Sequence, residues 1–206
     1  MVARHPEWAI GYQDEVWWSR LAHPCLSAWG DAGQPLRLIE QTVAKHDPDP
    51  KALACYGLLV RWTAPLPDQP DREQEQVWLR FVAERPVSAV TTQFLDWCCV
   101  RLAAAGKTAL VLVWDNASWH VSTQVRAWIR DHNRQVRREG QGVRIVVCRL
   151  PVKAPWLNPI EPKWVHGKRA VVEPARLLTA AELEDRVCAY YQCDQLDHLV
   201  IPQKVS

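Results

Sequence analysis

Three acidic residues stand where an ionised carboxylate needs a partner. Asp14 closes the apolar run Trp8-Ala9-Ile10-Gly11-Tyr12, Asp115 closes Ala109-Leu110-Val111-Leu112-Val113-Trp114, and Glu161 ends Asn158-Pro159-Ile160-Glu161, where a helix should begin. A carboxylate at the end of a buried strand costs free energy unless it is paired, hydrogen-bonded or bound to a metal. Two strand ends and a helix start can converge on one point, and an all-oxygen donor set suits magnesium or manganese. Two such ions about 3.5–4 Å apart activate a nucleophile and stabilise the leaving oxygen in a phosphodiester displacement. The chemistry expected is metal-dependent cutting or joining of a polynucleotide. Water as nucleophile gives strand cleavage, and a DNA 3′-hydroxyl gives strand transfer. Glu15 adjoins Asp14 and is the alternative ligand if the strand register differs by one, because adjacent strand residues point to opposite faces.

The elements that must position these acids are legible from pattern. Residues 8–14 read as a first strand, with 16–21 as its hairpin partner. Leu36 to Ala44, Ala52 to Thr63 and Gln76 to Ala83 read as further strands, the last two separated by the proline-rich stretch 65–71. Ser88 to Ala105 has helical periodicity through Val90, Phe94, Trp97 and Leu102, closed by Gly106. A strand over 108–114 follows, then a long helix from Ser118 to Glu139 with Val121, Val125, Trp128, Ile129 and Val136 on its apolar face. A β-branched strand spans Val143 to Cys148, a loop Pro151 to Pro159, and a helix Ile160 to Val171. Thr179-Ala180-Ala181-Glu182 is a capping-box start for a last helix to about Gln192. Strands first and then alternating helix and strand imply an α/β fold, a mixed sheet flanked by helices on both faces. Ligand sites in such sheets favour the carboxyl ends of strands, where Asp14 and Asp115 are expected.

The chain has 206 residues, which suits a single domain spanning 1–206, with 177–206 as a C-terminal helix and tail, and 48% hydrophobic residues, which argues against global disorder. No apolar stretch approaches a membrane span, and no secretory signal opens the chain. A soluble cytoplasmic protein is expected, with no membrane partner. The seven cysteines match no zinc spacing and imply neither a metal nor a disulfide framework. Net charge is only +2, but the cations cluster: Arg126, Arg130, Arg134, Arg137 and Arg138 in one band, Lys163, Lys168, Arg169 and Arg176 in another. Either band can follow a phosphate backbone or be a solvated helix face; the second follows Glu161 directly, which favours contact with substrate. Of the twelve tryptophans most belong to core or groove walls, and one or two, such as Trp156, can stack on bases.

Two segments carry a specific resemblance: Val113-Trp114-Asp115-Asn116-Ala117-Ser118-Trp119-His120, and Leu150-Pro151-Val152-Lys153-Ala154-Pro155-Trp156-Leu157-Asn158-Pro159-Ile160-Glu161-Pro162-Lys163-Trp164 with Lys168 beyond it. Together with Asp14-Glu15 they resemble the catalytic domain of bacterial insertion-sequence transposases related to the mariner superfamily, the DDE superfamily endonucleases. The resemblance covers residues 8 to 192. It implies a ribonuclease-H-like fold, with Asp14, Asp115 and Glu161 as the catalytic triad and ligands of two Mg2+ or Mn2+ ions. It aligns the first acid to Asp14 rather than Glu15. It also implies double-stranded DNA as partner, a homodimer or a partner transposase chain, preference for a TA dinucleotide, and association with the nucleoid when bound to DNA. The spacing between Asp115 and Glu161 is wider than usual for the group, an excess placed in the Arg-rich stretch before Val143. Trp29 and Gly33 match a W-x-x-x-G element after the first strands. Family members carry helix-turn-helix modules before the first catalytic strand, and no such pattern occurs here, so the chain is expected to be a catalytic half.

Other residues near the triad have more than one reading. Asn116 either bonds the scissile phosphate or holds the turn. His120 either orients a carboxylate, contacts DNA, or is a packed or capping histidine. Asn158 caps the helix carrying Glu161 and can also sit near the metals. Lys163 and Lys168 are phosphate contacts or solvated lysines. The functional alternatives are an active polynucleotidyl transferase, a non-catalytic protein that binds DNA or pairs with and inhibits a full-length transposase, and a cellular ribonuclease-H-like nuclease; the L-N-P-I-E segment disfavours the last.

Overall fold

The computed structural model describes residues 5–22, 41–63 and 73–202. The described strands are β1 (Trp8–Ser19), β2 (Ala52–Thr63), β3 (Glu73–Val82), β4 (Ala109–Trp114) and β5 (Arg144–Arg149), and the helices are α1 (Ser88–Ala104), α2 (Thr123–Glu139), α3 (Glu161–Val171) and α4 (Ala180–Tyr191). They form one mixed sheet in the order β3-β2-β1-β4-β5, with β1 antiparallel to β2 and parallel to β4. The parallel step from β1 to β4 and on to β5 is made through α1 and α2, as a parallel connection requires.

Alternation along β1 and β2 divides the core between the two faces. Ala9, Ala54, Tyr56, Leu58, Val60, Leu110, Leu112 and Trp114 pack with Phe94, Leu95, Cys98, Val125 and Ile129 of α1 and α2. Val16, Trp18, Leu53, Cys55, Leu59, Leu79 and Phe81 pack with Ile160, Trp164, Val171, Leu183 and Val187 of α3 and α4. The helices on both faces expected from the sequence are therefore present. Among the described residues no helix is long and apolar enough to cross a membrane.

Three expectations are corrected. β1 is one twelve-residue strand, so 16–21 is not its hairpin partner and Asp14 lies inside a strand rather than at its end. β2, the antiparallel neighbour, takes that place, pairing Ser19 with Ala52 through to Ala9 with Trp62. Helix α2 starts at Thr123, capped by Ser122 Oγ accepting from Val125 N, and Ser118 lies in the turns before it. The strand expected over 36–44 falls partly outside the described residues, as do Trp29 and Gly33, and residues 41–44 carry no strand. The capping box of α4 is present as read: Thr179 accepts from Glu182 N, and the Glu182 carboxylate accepts from Thr179 N.

Candidate active site

Register brings Asp14 and Asp115 together. The last parallel pair between β1 and β4 is Tyr12 with Val113, and each acid lies two residues further along its strand direction. Side chains two apart in a strand share a face, so both acids fall on the side occupied by α3. β4 ends at Trp114, which leaves the Gln13 carbonyl without a β4 partner; Asn158 Nδ2 donates to it at 3.1 Å. This bond ties the loop before α3 to the open edge of β1 and sets where Glu161 begins its helix.

The first turn of α3 is held down by a second bond. Trp164 Nε1 donates to Asp14 Oδ2 at 2.9 Å. The indole ring occupies the space above Gly57, the β2 residue opposite Asp14, where any Cβ would collide with it. It meets Trp18 edge-on at 5.9 Å between centroids and Tyr191 at 5.8 Å. Trp164 is three residues after Glu161, so one helix face carries both the acid and the group that anchors it.

Asp115 sits in a separate set of bonds. Its Oδ1 accepts from Ala117 N at 2.9 Å and from His120 Nδ1 at 2.8 Å. The other ring nitrogen, His120 Nε2, lies 2.9 Å from Glu15 Oε1, which also accepts from Gln13 Nε2 at 3.0 Å. The imidazole stacks on Trp114 with centroids 4.5 Å apart and planes 11° from parallel. Asn116 Nδ2 donates to the Leu150 carbonyl at 2.8 Å, the turn-holding reading of that residue.

The electrostatics of the cluster are those of excess negative charge. Burial, then the neighbouring Glu161 and Glu15 carboxylates, push Asp14 up to about 7 against the Trp164 bond. Burial raises Glu161 as well, opposed by Lys168 and reinforced by Asp115. Asp115 is held below the ordinary range, chiefly by the His120 bond, against its own burial. Burial alone would lower His120, but its bonds to Asp115 and Glu15 outweigh that and raise it to about 9.

Asp14, Asp115 and Glu161, oxygen donors from β1, the end of β4 and α3, match in donor type what hard divalent cations require. Among the described residues no three acidic, histidine or cysteine side chains are already close enough to clasp an ion. The present rotamers spend Asp14 on Trp164 and Asp115 on His120, while the Glu161 carboxylate has no hydrogen bond among the described residues and is free to turn.

The remaining predicted residues are placed as follows. His120 is fully buried as a side chain, so it offers no surface to DNA; Asn158 is buried against β1 and does not cap α3 as expected, since its amide is drawn to the Gln13 carbonyl and the N-cap is Ile160, with no side-chain cap. Lys163 Nζ pairs with Glu75 of β3 at 2.6 Å, away from the acids. Lys168 is exposed two turns beyond Glu161 on the same helix. Sequence reasoning gave Trp164 no role and weighed Glu15 only as a substitute for Asp14. The signal for Glu15 was present: two consecutive acids inside one strand need partners on both faces.

Residues 72–184 match the family model of the DDE superfamily endonucleases. The chain belongs to that family. No curated protein matches it in sequence. Among solved structures it is similar to the Mos1 transposase paired-end complex with left transposon end, at a TM-score of 0.61 and 14% identity over 92% of this chain and 48% of that one. It is similar also to the Mos1 mariner paired-end complex with Mn (0.58, 14%, 90% and 48%) and with Mg (0.57, 14%, 89% and 47%). This DDE-family chain thus spans about half the length of the Mos1 chains. At that identity the likeness is one of fold, and the fold is the ribonuclease-H-like α/β sheet expected.

Proposed function

We propose that this chain is the catalytic domain of a DNA transposase, cleaving and joining phosphodiester bonds of a mobile element. What supports this is the placement of Asp14 in β1, Asp115 just after β4 and Glu161 at the start of α3, with the Glu161 charge acting on Asp14 and the Asp115 charge on Glu161. Asp14, Asp115 and Glu161 would hold two Mg2+ or Mn2+ ions, which supply activation of the attacking hydroxyl and stabilisation of the leaving oxygen. Trp164 and His120 fix the directions of Asp14 and Asp115, and Glu161 turns inward to complete the set. Lys168 and the exposed Trp156, which is 75% accessible in the loop before α3, line the approach for a DNA backbone and an unpaired base. Double-stranded DNA and a second transposase chain are the partners of this reading, in keeping with solved relatives that are described as paired-end complexes.

Incubation of supercoiled plasmid with the purified protein and Mg2+ or Mn2+, beside EDTA and Asp115→Asn, tests it. Nicking that requires the metal and falls by about a hundredfold or more in the variant is expected, since the variant removes a charged ligand from the reacting centre. Undiminished nicking by Asp115→Asn would overturn the assignment. DNA binding with neither nicking nor metal binding would establish the alternative, a non-catalytic DNA-binding protein.

A further inference from the structure

We infer that Glu15 and His120 are a positioning pair for Asp115, reaching it through the sheet from the face opposite Asp14. The inference rests on the metal-site reading of the triad and assigns Glu15 a place behind that site rather than in it. β1 alternation puts Glu15 on the α1 and α2 side, with Gln13, so it cannot share an ion with Asp14 from its strand position. Asp115 lies where the chain has just left β4, the one place from which a side chain on either face can be met. His120 spans that gap, with Nε2 at 2.9 Å from Glu15 and Nδ1 at 2.8 Å from Asp115.

Both ring nitrogens face carboxylate oxygens. The ring is thus fixed at both ends, by Asp115 and by Glu15. The His120 side chain is 0% exposed and Glu15 9%, so that contact is shielded from water, whereas Asp115 at 51% is open to solvent on its far side. Trp114 stacked on the ring fixes its plane. Gln13, 1% exposed, donates to the same Glu15 oxygen that His120 uses, so the carboxylate is held from two sides. The consequence falls on Asp115: Oδ1 is committed to His120 and Ala117 N, and Oδ2 is left without a hydrogen bond among the described residues. Groups arranged behind metal ligands in this way set ligand orientation, and losing one typically weakens metal binding 10–100-fold.

The test measures Mn2+ binding to the DNA-free protein by calorimetry for the parent, Asp115→Asn, Glu15→Gln, His120→Gln and the Glu15→Gln/His120→Gln double variant, with thermal melting as the check on folding. Binding by the parent that Asp115→Asn abolishes establishes the metal site itself. On that footing each single variant is expected to weaken Mn2+ binding about 10–100-fold, and the double variant no more than the worse single, because the two residues act as one unit. Folded variants that bind within about twofold of the parent overturn the pair while leaving the metal site standing; a parent that binds no Mn2+ overturns both. Should the variants fail to fold, nitrogen-15 spectra of the parent decide: His120 ring signals that shift on Mg2+ addition support the pair, and an absence of shift overturns it.

Discussion

Asp14 lies mid-strand opposite Gly57, and the ring of Trp164 fills the space that glycine leaves while its N–H reaches the acid. That single bond does not offset burial and the two neighbouring carboxylates, which leave Asp14 titrating near 7. In an unfolded chain the same acid titrates near 3.9. Between those values the folded protein binds the extra proton, so its stability falls as pH rises through the window and levels off above about 7. Urea unfolding in EDTA is expected to give a lower midpoint at about pH 7.5 than at about pH 5; Asp14→Asn should shrink the difference, and the raised Glu161 and His120 supply the rest with the same sign. Equal slopes in parent and variant would mean that other groups set the pH response. Trp164→Phe deletes the donor and withdraws the outer ring atoms over Gly57; the lost bond alone should cost about 1–3 kcal/mol at neutral pH and less at about pH 5.

At the scale of elements, α4 shows a local rule acting unaided. Thr179 and Glu182 cap each other's backbone N–H, and Arg176 adds a two-pronged contact to the Glu182 carboxylate. That contact first, and then the Thr179 N–H, hold Glu182 down to about 2. The cap is therefore intact above the ordinary glutamate range and is lost as pH falls from there towards about 2. Thr179→Ala is expected to cost about 1 kcal/mol, a fall of about 2–4 °C in Tm, read by thermal denaturation. The sequence made such elements legible because their signals are local: the cap of α4, the apolar period of α1, and the unbroken run of β2, whose ends were read as they stand. β1 was misread for the complementary reason. Asp14 and Glu15 interrupt its apolar pattern, and what sustains the strand through them is Trp164 and His120, 150 and 105 residues away. The three acids proposed as the site stand out in sequence by their contexts and motifs, whereas the bonds of Trp164 and His120 to Asp14 and Asp115 show only once the two faces of the sheet are known. α2 began late because Ser118 and Ser122 are equally good caps, and the fold uses the residues between them to turn His120 inward.

The molecule as a whole decides which of the two basic bands can serve the acids. Helix α2 starts beside Asp115 and runs back along the sheet; by its middle, His132 bonds the Val143 carbonyl and Asn133 pairs with Ile145, at the start of β5. β5 begins level with Ala109, the first residue of β4, while Asp115 follows the last. Six residues of strand separate those ends by about 20 Å. Arg134, Arg137 and Arg138 are thus at the amino end of the sheet, and Arg134 and Arg138 already neighbour Asp131 and Glu139. Lys168 is about 10 Å along α3 from Glu161, exposed, and close enough in charge to pull on its ionisation. DNA lying over the acids should therefore meet Lys168 and miss the far arginines. In DNA-binding titrations across salt concentrations, Lys168→Ala is expected to weaken binding and reduce the slope of log K against log salt by about 1. Arg134→Ala/Arg138→Ala should leave that slope unchanged. The reverse pattern would place the backbone along α2 and move the DNA path to the other face of the sheet, where Glu161 could not reach it.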